Sequence, residues 1–523
     1  MIKRVLVIGL LLVSLLVACA RHTITPAIRE RLTVAAARNE ISTPTKTSSQ
    51  ITTLPTPILT STPAYPGSYS GTPTPDLVLA DAATQLQQDT YIVRPGDTLT
   101  GIAWIFGCSV GELARANGLA NTDSIWEGQR LAIPVMPTFT GPAIKLVPDS
   151  ELIYGPAYIH FDLSGFVAEQ DGYLANYTEL IDGHWLSGAE IVQQVSQRFS
   201  VGPRILLTLL EFQAGWVTSP DPPENALIYP MGRVEFQRRG LLAQLEWAAA
   251  ELNAGYYAWR QSGTALGRLI DDRRVAFAPG LNAGTVGIQH YLASVCDWSQ
   301  WQRAVAPGGF AATYEHLFGN PFAYTIEPLI PSDLAQPEMR LPWPSGETWY
   351  LTGGPHEGWG RGSAWAALDF VPADMTGGCT PSRQWATAAA GGLVLRSETG
   401  EVVIDLDGDG REQSGWVLIY LHISANGRVA AGNWIKQGER IGHPSCEGGF
   451  ANAAHLHLAR RFNGEWIPAG AGAAPFILSG WMAHEGSYAY DGTLANGDSI
   501  RTACECMLDD YNGFVSDNPL PKD

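Results

Sequence analysis

The 523-residue chain is 45% hydrophobic and 16% charged, which excludes a wholly disordered protein and, at roughly 100–200 residues per domain, implies about three domains with linkers. Its 51 Asp and Glu outnumber 33 Lys and Arg, and the resulting net charge of −18 repels phosphate backbones, so no nucleic-acid partner is expected. The 17 Trp, 18 Tyr, 16 Phe and 56 Gly point to many strands, tight turns and aromatic platforms.

At the start of the chain Lys3 and Arg4 precede Val5 to Val17, a run that is apolar apart from Ser14. That run is shorter than the about 20 apolar residues a membrane-spanning helix needs, so residues 1–18 read as a signal peptide. Leu16-Val17-Ala18-Cys19 resembles a bacterial lipobox. The resemblance implies an exported lipoprotein, anchored in a membrane through a lipidated Cys19 and placed at the cell surface or cell wall. Residues 19–88 are a Thr/Ser/Pro-rich tether: Pro44, Pro55, Pro57, Pro63, Pro66, Pro73 and Pro75 stiffen a composition that builds no core.

Residues 89–136 form a compact module. Tyr91-Ile92-Val93 alternates like a strand, the turn Pro95-Gly96-Asp97-Thr98 starts a helix carrying Leu99, Ile102, Ala103 and Phe106, and a second short helix follows around Glu112 to Asn117. Gly128-Gln129-Arg130-Leu131-Ala132-Ile133-Pro134 ends the module as a strand. With Gly96-Asp97-Thr98-Leu99, Asn117-Gly118-Leu119 and Gly128-Gln129-x-Leu131-x-Ile133-Pro134 the module resembles a LysM domain. That implies a βααβ fold which binds N-acetylglucosamine-containing glycans such as peptidoglycan.

Residues 148–335 carry helical periodicity, in Ala189 to Val195, Pro203 to Glu211, Leu241 to Leu252 and Gly287 to Trp298, so a mostly helical middle domain is expected. Residues 337–490 return to short runs separated by Gly-rich turns: Trp349 to Leu351, Ala367 to Val371, Val402 to Ile404, Trp416 to Ile423 and His455 to Ala459. An antiparallel β-rich domain follows, with residues 491–523 as a C-terminal tail and a multidomain α+β class for the whole chain.

Six of the 11 His fall in this β-rich region. In Ala454-His455-Leu456-His457-Leu458 the two-residue period puts both imidazoles on one face and both leucines on the other. In Ile419-Tyr420-Leu421-His422-Ile423 the same period pairs Tyr420 with His422. A hydrolytic zinc site needs three N/O ligands and an open position; His356, Asp369 and His457 supply the ligands, and His422 and His455 remain for proton transfer and oxyanion stabilisation. The set, with Gly432-x-x-Ile435-x-x-Gly438-Glu439-x-Ile441-Gly442 between its parts, resembles the lysostaphin/LytM-type zinc metalloendopeptidases, which hydrolyse peptidoglycan cross-links. In such enzymes the early His, the following Asp and the second His of His-x-His bind Zn²⁺, while the isolated His and the first His of the pair are catalytic. The resemblance therefore implies His356, Asp369 and His457 as ligands, His422 and His455 as catalysts, and peptidoglycan glycan and stem peptides as partners. It departs in one place: the family usually leaves three residues between its first two ligands, and here Glu357 to Leu368, a Gly/Trp-rich insert, lies between them.

Two other functions compete with cross-link cleavage: a non-catalytic wall-binding activator, and a lysozyme-like glycan cleaver acting through the helical domain. Glu211, ahead of Phe212-Gln213-Ala214-Gly215-Trp216, faintly resembles the acid of lysozyme-like transglycosylases, although their usual Ser after the Glu is absent. Asp405-Leu406-Asp407-Gly408-Asp409-Gly410 copies half a calcium loop, but Trp416 stands where a bidentate Glu belongs, so it reads as an acidic hairpin turn. Beyond Cys19, the cysteines Cys108, Cys296, Cys379, Cys446, Cys504 and Cys506 permit disulfides. A Cys379–Cys446 bridge would stiffen two Gly-rich loops, while Cys504 and Cys506 lie too close to bridge each other without strain.

Overall fold

The computed structural model describes residues 90–93, 97–105, 108, 110–119, 125–126, 128–134, 138–263, 265–375, 377–472 and 474–517. The signal peptide, Cys19 and the tether lie outside the described residues.

In the first module the strands Thr90–Ile92 (β1) and Arg130–Ala132 (β2) pair antiparallel around the helices Leu99–Ile105 (α1) and Val110–Ala116 (α2). Tyr91, Val93 and Leu131 bury against Leu99, Ile102, Ala103, Leu113 and Ala114, as the alternation and the helical spacing require. Asn117 closes the module like a strand edge: its Oδ1 accepts from Ala132 N at 2.6 Å and its Nδ2 donates to Ala132 O at 2.8 Å.

The middle domain is built on four long helices, Gly188–Phe199 (α3), Pro203–Ala214 (α4), Leu241–Ser262 (α5) and Ala283–Val295 (α6). A Ser187/Glu190 capping box opens α3, and Pro203 at the first turn and left-handed Gly215 after the last turn bound α4. Nine of the twelve residues of α4 are buried, on every side of the helix up to Leu210, which makes it the central helix. The domain also holds short strands that helical periodicity does not reveal, among them Thr138–Thr140, parallel to Arg274–Ala276.

The β-rich region has smaller sheets but is built on one large antiparallel sheet. Its strands are Thr348–His356 (β3), Ala367–Pro372 (β4), Gly392–Glu398 (β5), Glu401–Asp405 (β6), Trp416–Leu421 (β7), Trp434–Ile435 (β8), Leu456–Phe462 (β9) and Gly513–Val515 (β10). Their order is β8-β5-β6-β7-β9-β4-β3-β10, with Glu465–Trp466 pairing off β9. Within the expected tail of residues 491–523, the strands of the described residues 492–515 are thus paired into the sheets of the β-rich region, which corrects the sequence reading for that stretch. Its three-residue strand β10 pairs with β3, and Gly492–Asn496 and Ser499–Thr502 extend a smaller sheet that begins at Ile477. Strands this short carry too few residues for alternation to be legible.

The two faces of the sheet bury against different partners. Leu368, Phe370, Leu418, Tyr420, Leu456 and Leu458 face the β-rich region's own loops and smaller sheets. Val403, Val417, Ile419, Ala459 and Trp466 belong instead to the core of the helical domain, together with Ile191, Phe199 and Tyr257. The helical domain therefore covers one face of the sheet, and the two share a continuous apolar core.

Candidate metal centre

The three central strands β7, β9 and β4 set the site. Registry places Leu421 opposite His457 and His457 opposite Asp369, so His457 and Asp369 share one face of adjacent strands. His356 ends β3 opposite Ala367, after two register irregularities that bring its side chain to the Asp369 side. His356 Nε2 lies 3.1 Å from His457 Nδ1 and 3.3 Å from Asp369 Oδ1, and His457 Nδ1 lies 3.2 Å from Asp369 Oδ1.

The other ring nitrogens fix the proton positions. His356 Nδ1–H donates to Gly354 O at 2.8 Å and His457 Nε2–H donates to Gly358 O at 3.1 Å. With both rings neutral, the two nitrogens that face each other are lone pairs, and Asp369 Oδ1 is buried beside them without a hydrogen-bond donor. Three inward lone pairs at this spacing repel unless a cation lies among them. Ligand atoms about 2.0–2.1 Å from a tetrahedral zinc sit about 3.3–3.4 Å apart, so the donor set fits zinc in identity and spacing. The backbone carbonyls orient both imidazoles, as ligating histidines require.

His422 and His455 stand beside this triad, their rings 4.4 Å apart between centroids and that of His422 6.4 Å from His457. His455 Nε2 is 3.8 Å from Asp369 Oδ2, and its Nδ1–H donates to Ala453 O at 2.8 Å. His422 Nδ1–H donates to Glu447 O at 2.9 Å, which leaves Nε2 as its acceptor. The expectation that His422 shares the face of Tyr420 is corrected. His422 has φ 64°, a left-handed conformation that breaks the alternation after Leu421 and turns the imidazole to the His457 side. Ile423 consequently joins the cluster around Tyr420, where strict alternation would have put it with Ile419.

Charge at the site follows from burial and neighbours. Burial opposes ionisation of Asp369, but the imidazoles of His356 and His455 outweigh it and hold the carboxyl well below the usual range. Burial, reinforced by His455 and His457, pushes His422 down to about 3, so its ring is neutral at pH 7. Burial also lowers His457 against the pull of Asp369.

Some contributors carry no signal in the sequence. Tyr490 stacks on His356 with centroids 4.2 Å apart, and its carbonyl accepts from Gly354 N at 2.7 Å. The Cys379–Cys446 disulfide, by contrast, is the bridge that the sequence suggested; it joins the loops at the rim, where Ala454 N donates to Gly378 O at 2.8 Å. Cys504 and Cys506, to which the sequence assigned no partner, are bonded to each other, and Cys108 and Cys296 are buried free thiols.

The weaker signals resolve as local structure. Glu211 accepts from Val217 N, Thr218 N and Thr218 Oγ1 at 2.9, 3.0 and 2.6 Å, so its carboxylate caps the loop after α4. Asp405, Asp407 and Asp409 do cluster, yet the Asp405 carboxylate is taken up by the N–H groups of Asp407, Gly408 and Gly410 in a hairpin turn.

Residues 91–134 match the LysM domain family, and residues 145–331 match the LasA N-terminal domain family. Protease LasA of Pseudomonas aeruginosa is 27% identical over 357 residues, covering 65% of this chain and 79% of that protein. Among solved structures, the M23 metalloprotease pseudoalterin from the deep sea aligns at 24% identity and a TM-score of 0.26, over 32% of this chain and 96% of its own. The catalytic domain of lysostaphin from Staphylococcus simulans aligns at 19% identity and a TM-score of 0.16, over 23% and 88%.

Proposed function

We propose that this protein is a zinc-dependent endopeptidase that cleaves the peptide cross-links of peptidoglycan. In this reading a LysM domain brings it to the wall, and lipidation of Cys19 anchors it at the exported face of a membrane. The observation that carries the enzymatic part is the convergence of His356 Nε2, His457 Nδ1 and donorless Asp369 Oδ1 within 3.1–3.3 Å. The similarity to Protease LasA supports a peptidase, and the LysM match supports a glycan-containing target.

His356, Asp369 and His457 would hold the metal. Bound there, zinc would supply Lewis acidity, polarising a scissile carbonyl and lowering the pKa of water towards about 7. His422 is the base in this reading: its Nδ1–H is committed to Glu447 O, which leaves Nε2 free to accept a proton. It takes a proton from the attacking water. His455, held by Ala453 O through Nδ1, turns its Nε2 to the same space; once protonated, that edge donates to the carbonyl oxygen or to the departing amine. A complete donor set with two further imidazoles disfavours the non-catalytic activator, and the occupied Glu211 carboxylate disfavours glycan cleavage in the helical domain.

Zinc quantification on purified protein, with mass analysis of digested peptidoglycan, tests the reading. One zinc per chain and new peptide amines are expected; new reducing or anhydro-sugar ends would overturn it.

A further inference from the structure

The insert between His356 and Asp369 joins two ligands of the same proposed centre, and it lies against the helical domain. Gly358 O accepts from His457 Nε2, and Gly358 N donates to Ala364 O at 3.0 Å, closing the loop. Gly358 lies flat on the indole of Trp466: a Cβ there would stand 2.4 Å from its Cε3. The helical domain holds Trp466 in turn, since Trp466 N donates to Tyr257 Oη at 3.0 Å and Trp466 Nε1 to Phe199 O at 3.3 Å.

The far end of the loop meets α3 and α5 directly. Gly360 (φ 61°) and Gly362 (φ 93°) adopt left-handed backbone, and a Cβ on either would strike Phe199 or the carbonyl of Ala250. Between them Arg361 reaches out and pairs with the buried carboxylate of Glu251 on α5. His290 lies against the same residue: its Nδ1–H donates to the backbone carbonyl of Glu251 at 3.0 Å and lies 3.6 Å from the carboxylate Oε2. Trp359 lies under the Arg198 guanidinium, 5.5 Å from its centroid.

We infer that the helical domain is a working part of the metal centre: Glu251 grips the 357–366 loop through Arg361, so that the Gly358 carbonyl fixes the ring of His457 for the metal. Glu251 and Arg361 are positioning residues, and the inference rests on the metal reading of His356, Asp369 and His457. The physical reason is orientation. An imidazole free to rotate about its last bond spends little time aimed at a cation, and loss of an outer hydrogen bond to a ligating histidine weakens metal binding by roughly 10–100-fold. Slack in the loop reaches that carbonyl directly.

The test uses the full chain. The zinc dissociation constant is measured by competition with a chromophoric chelator for wild type, Glu251→Ala, Arg361→Ala and the double variant, with thermal unfolding in parallel. Each single change is expected to weaken zinc binding roughly tenfold, the double no more than either single, and Arg361→Lys to recover part of the loss. Tyr314→Phe, which removes a 2.6 Å hydrogen bond to Glu151 elsewhere in the helical domain, serves as control and should lower the unfolding temperature while leaving zinc affinity unchanged. Should Glu251→Ala fail to fold, the half-exposed Arg361 carries the comparison alone. Zinc affinity unchanged in the Arg361 and Glu251 variants, or weakened equally by Tyr314→Phe, overturns the inference and leaves the metal reading standing. A wild-type chain that binds no zinc removes both.

Discussion

His455 and His457 lie two residues apart, the first just before β9 and the second within it, and their surroundings assign them different work. His457 aims Nδ1 at the His356–Asp369 pair with its other nitrogen committed to Gly358 O, whereas His455 approaches only the second oxygen of Asp369, at 3.8 Å. Replacing His457 by Ala leaves two donors, too few to hold zinc tightly, so metal and activity are both expected to vanish. Replacing His455 by Ala should keep stoichiometric zinc and the fold while lowering turnover roughly 10²–10⁴-fold. Zinc content and cross-link cleavage measured on both variants decide this, and equal metal loss would show that the pair acts as one unit. His422 belongs with His455 in this comparison, since its left-handed backbone is strain kept where an imidazole is aimed.

Among the elements, the seam between α3 and the sheet is held by charges as well as apolar side chains. Glu412 accepts from Arg461 Nη2 at 2.8 Å and Arg396 Nη2 at 3.1 Å, Arg396 Nη1 donates to Glu401 at 2.7 Å, and Arg461 Nη1 donates to Gln197 O at 2.8 Å. Burial opposes charge on Glu412, but Arg396 and Arg461 prevail and hold its carboxyl below the ordinary range. A carboxyl whose folded pKa is lowered stabilises the fold above its unfolded value of about 4.3, and that contribution is lost as pH falls through the folded value. Denaturant unfolding at pH 7 and at pH 3 should show this loss in wild type and a shallower pH dependence in Glu412→Gln. At pH 7 the variant should also be less stable by about 3–5 kcal/mol, because two buried guanidinium groups lose their shared partner.

At the scale of the molecule, the helical domain and the sheet share one core. Separating them would expose Val403, Val417, Ile419, Ala459 and Trp466 along one sheet face. They are therefore expected to unfold together, in one calorimetric transition whose van't Hoff and calorimetric enthalpies agree after the small amino-terminal module is accounted for. Two resolved transitions for residues 138–517 would refute the shared core. Attachment is a separate matter: Cys19→Ser should release the protein from the membrane fraction and leave its activity on isolated walls intact, checked by fractionation and a wall-digestion assay. Unchanged membrane association would show that lipidation at Cys19 is not the anchor.

Resemblance to a known family supplied the choice of His356 and Asp369, whereas the residue pattern alone brought out the βααβ module, the helical stretches, the antiparallel strands and the imidazoles of His422, His455 and His457. Each of these is a local signal: a period of two or 3.6, a turn dipeptide, or imidazoles on an apolar strand. Other features depend on contacts distant in sequence, and only the tertiary structure decided them. The left-handed turn at His422 reverses a face that alternation had assigned, because one dihedral angle outweighs a two-residue period. Strand β10 is three residues long and exists through its pairing with β3. The insert after His356 looked like an interruption in the ligand spacing, and it is instead a bridge from α5 to the imidazole of His457. Its contacts with Glu251, 110 residues earlier in the chain, are made by packing, which no local pattern encodes.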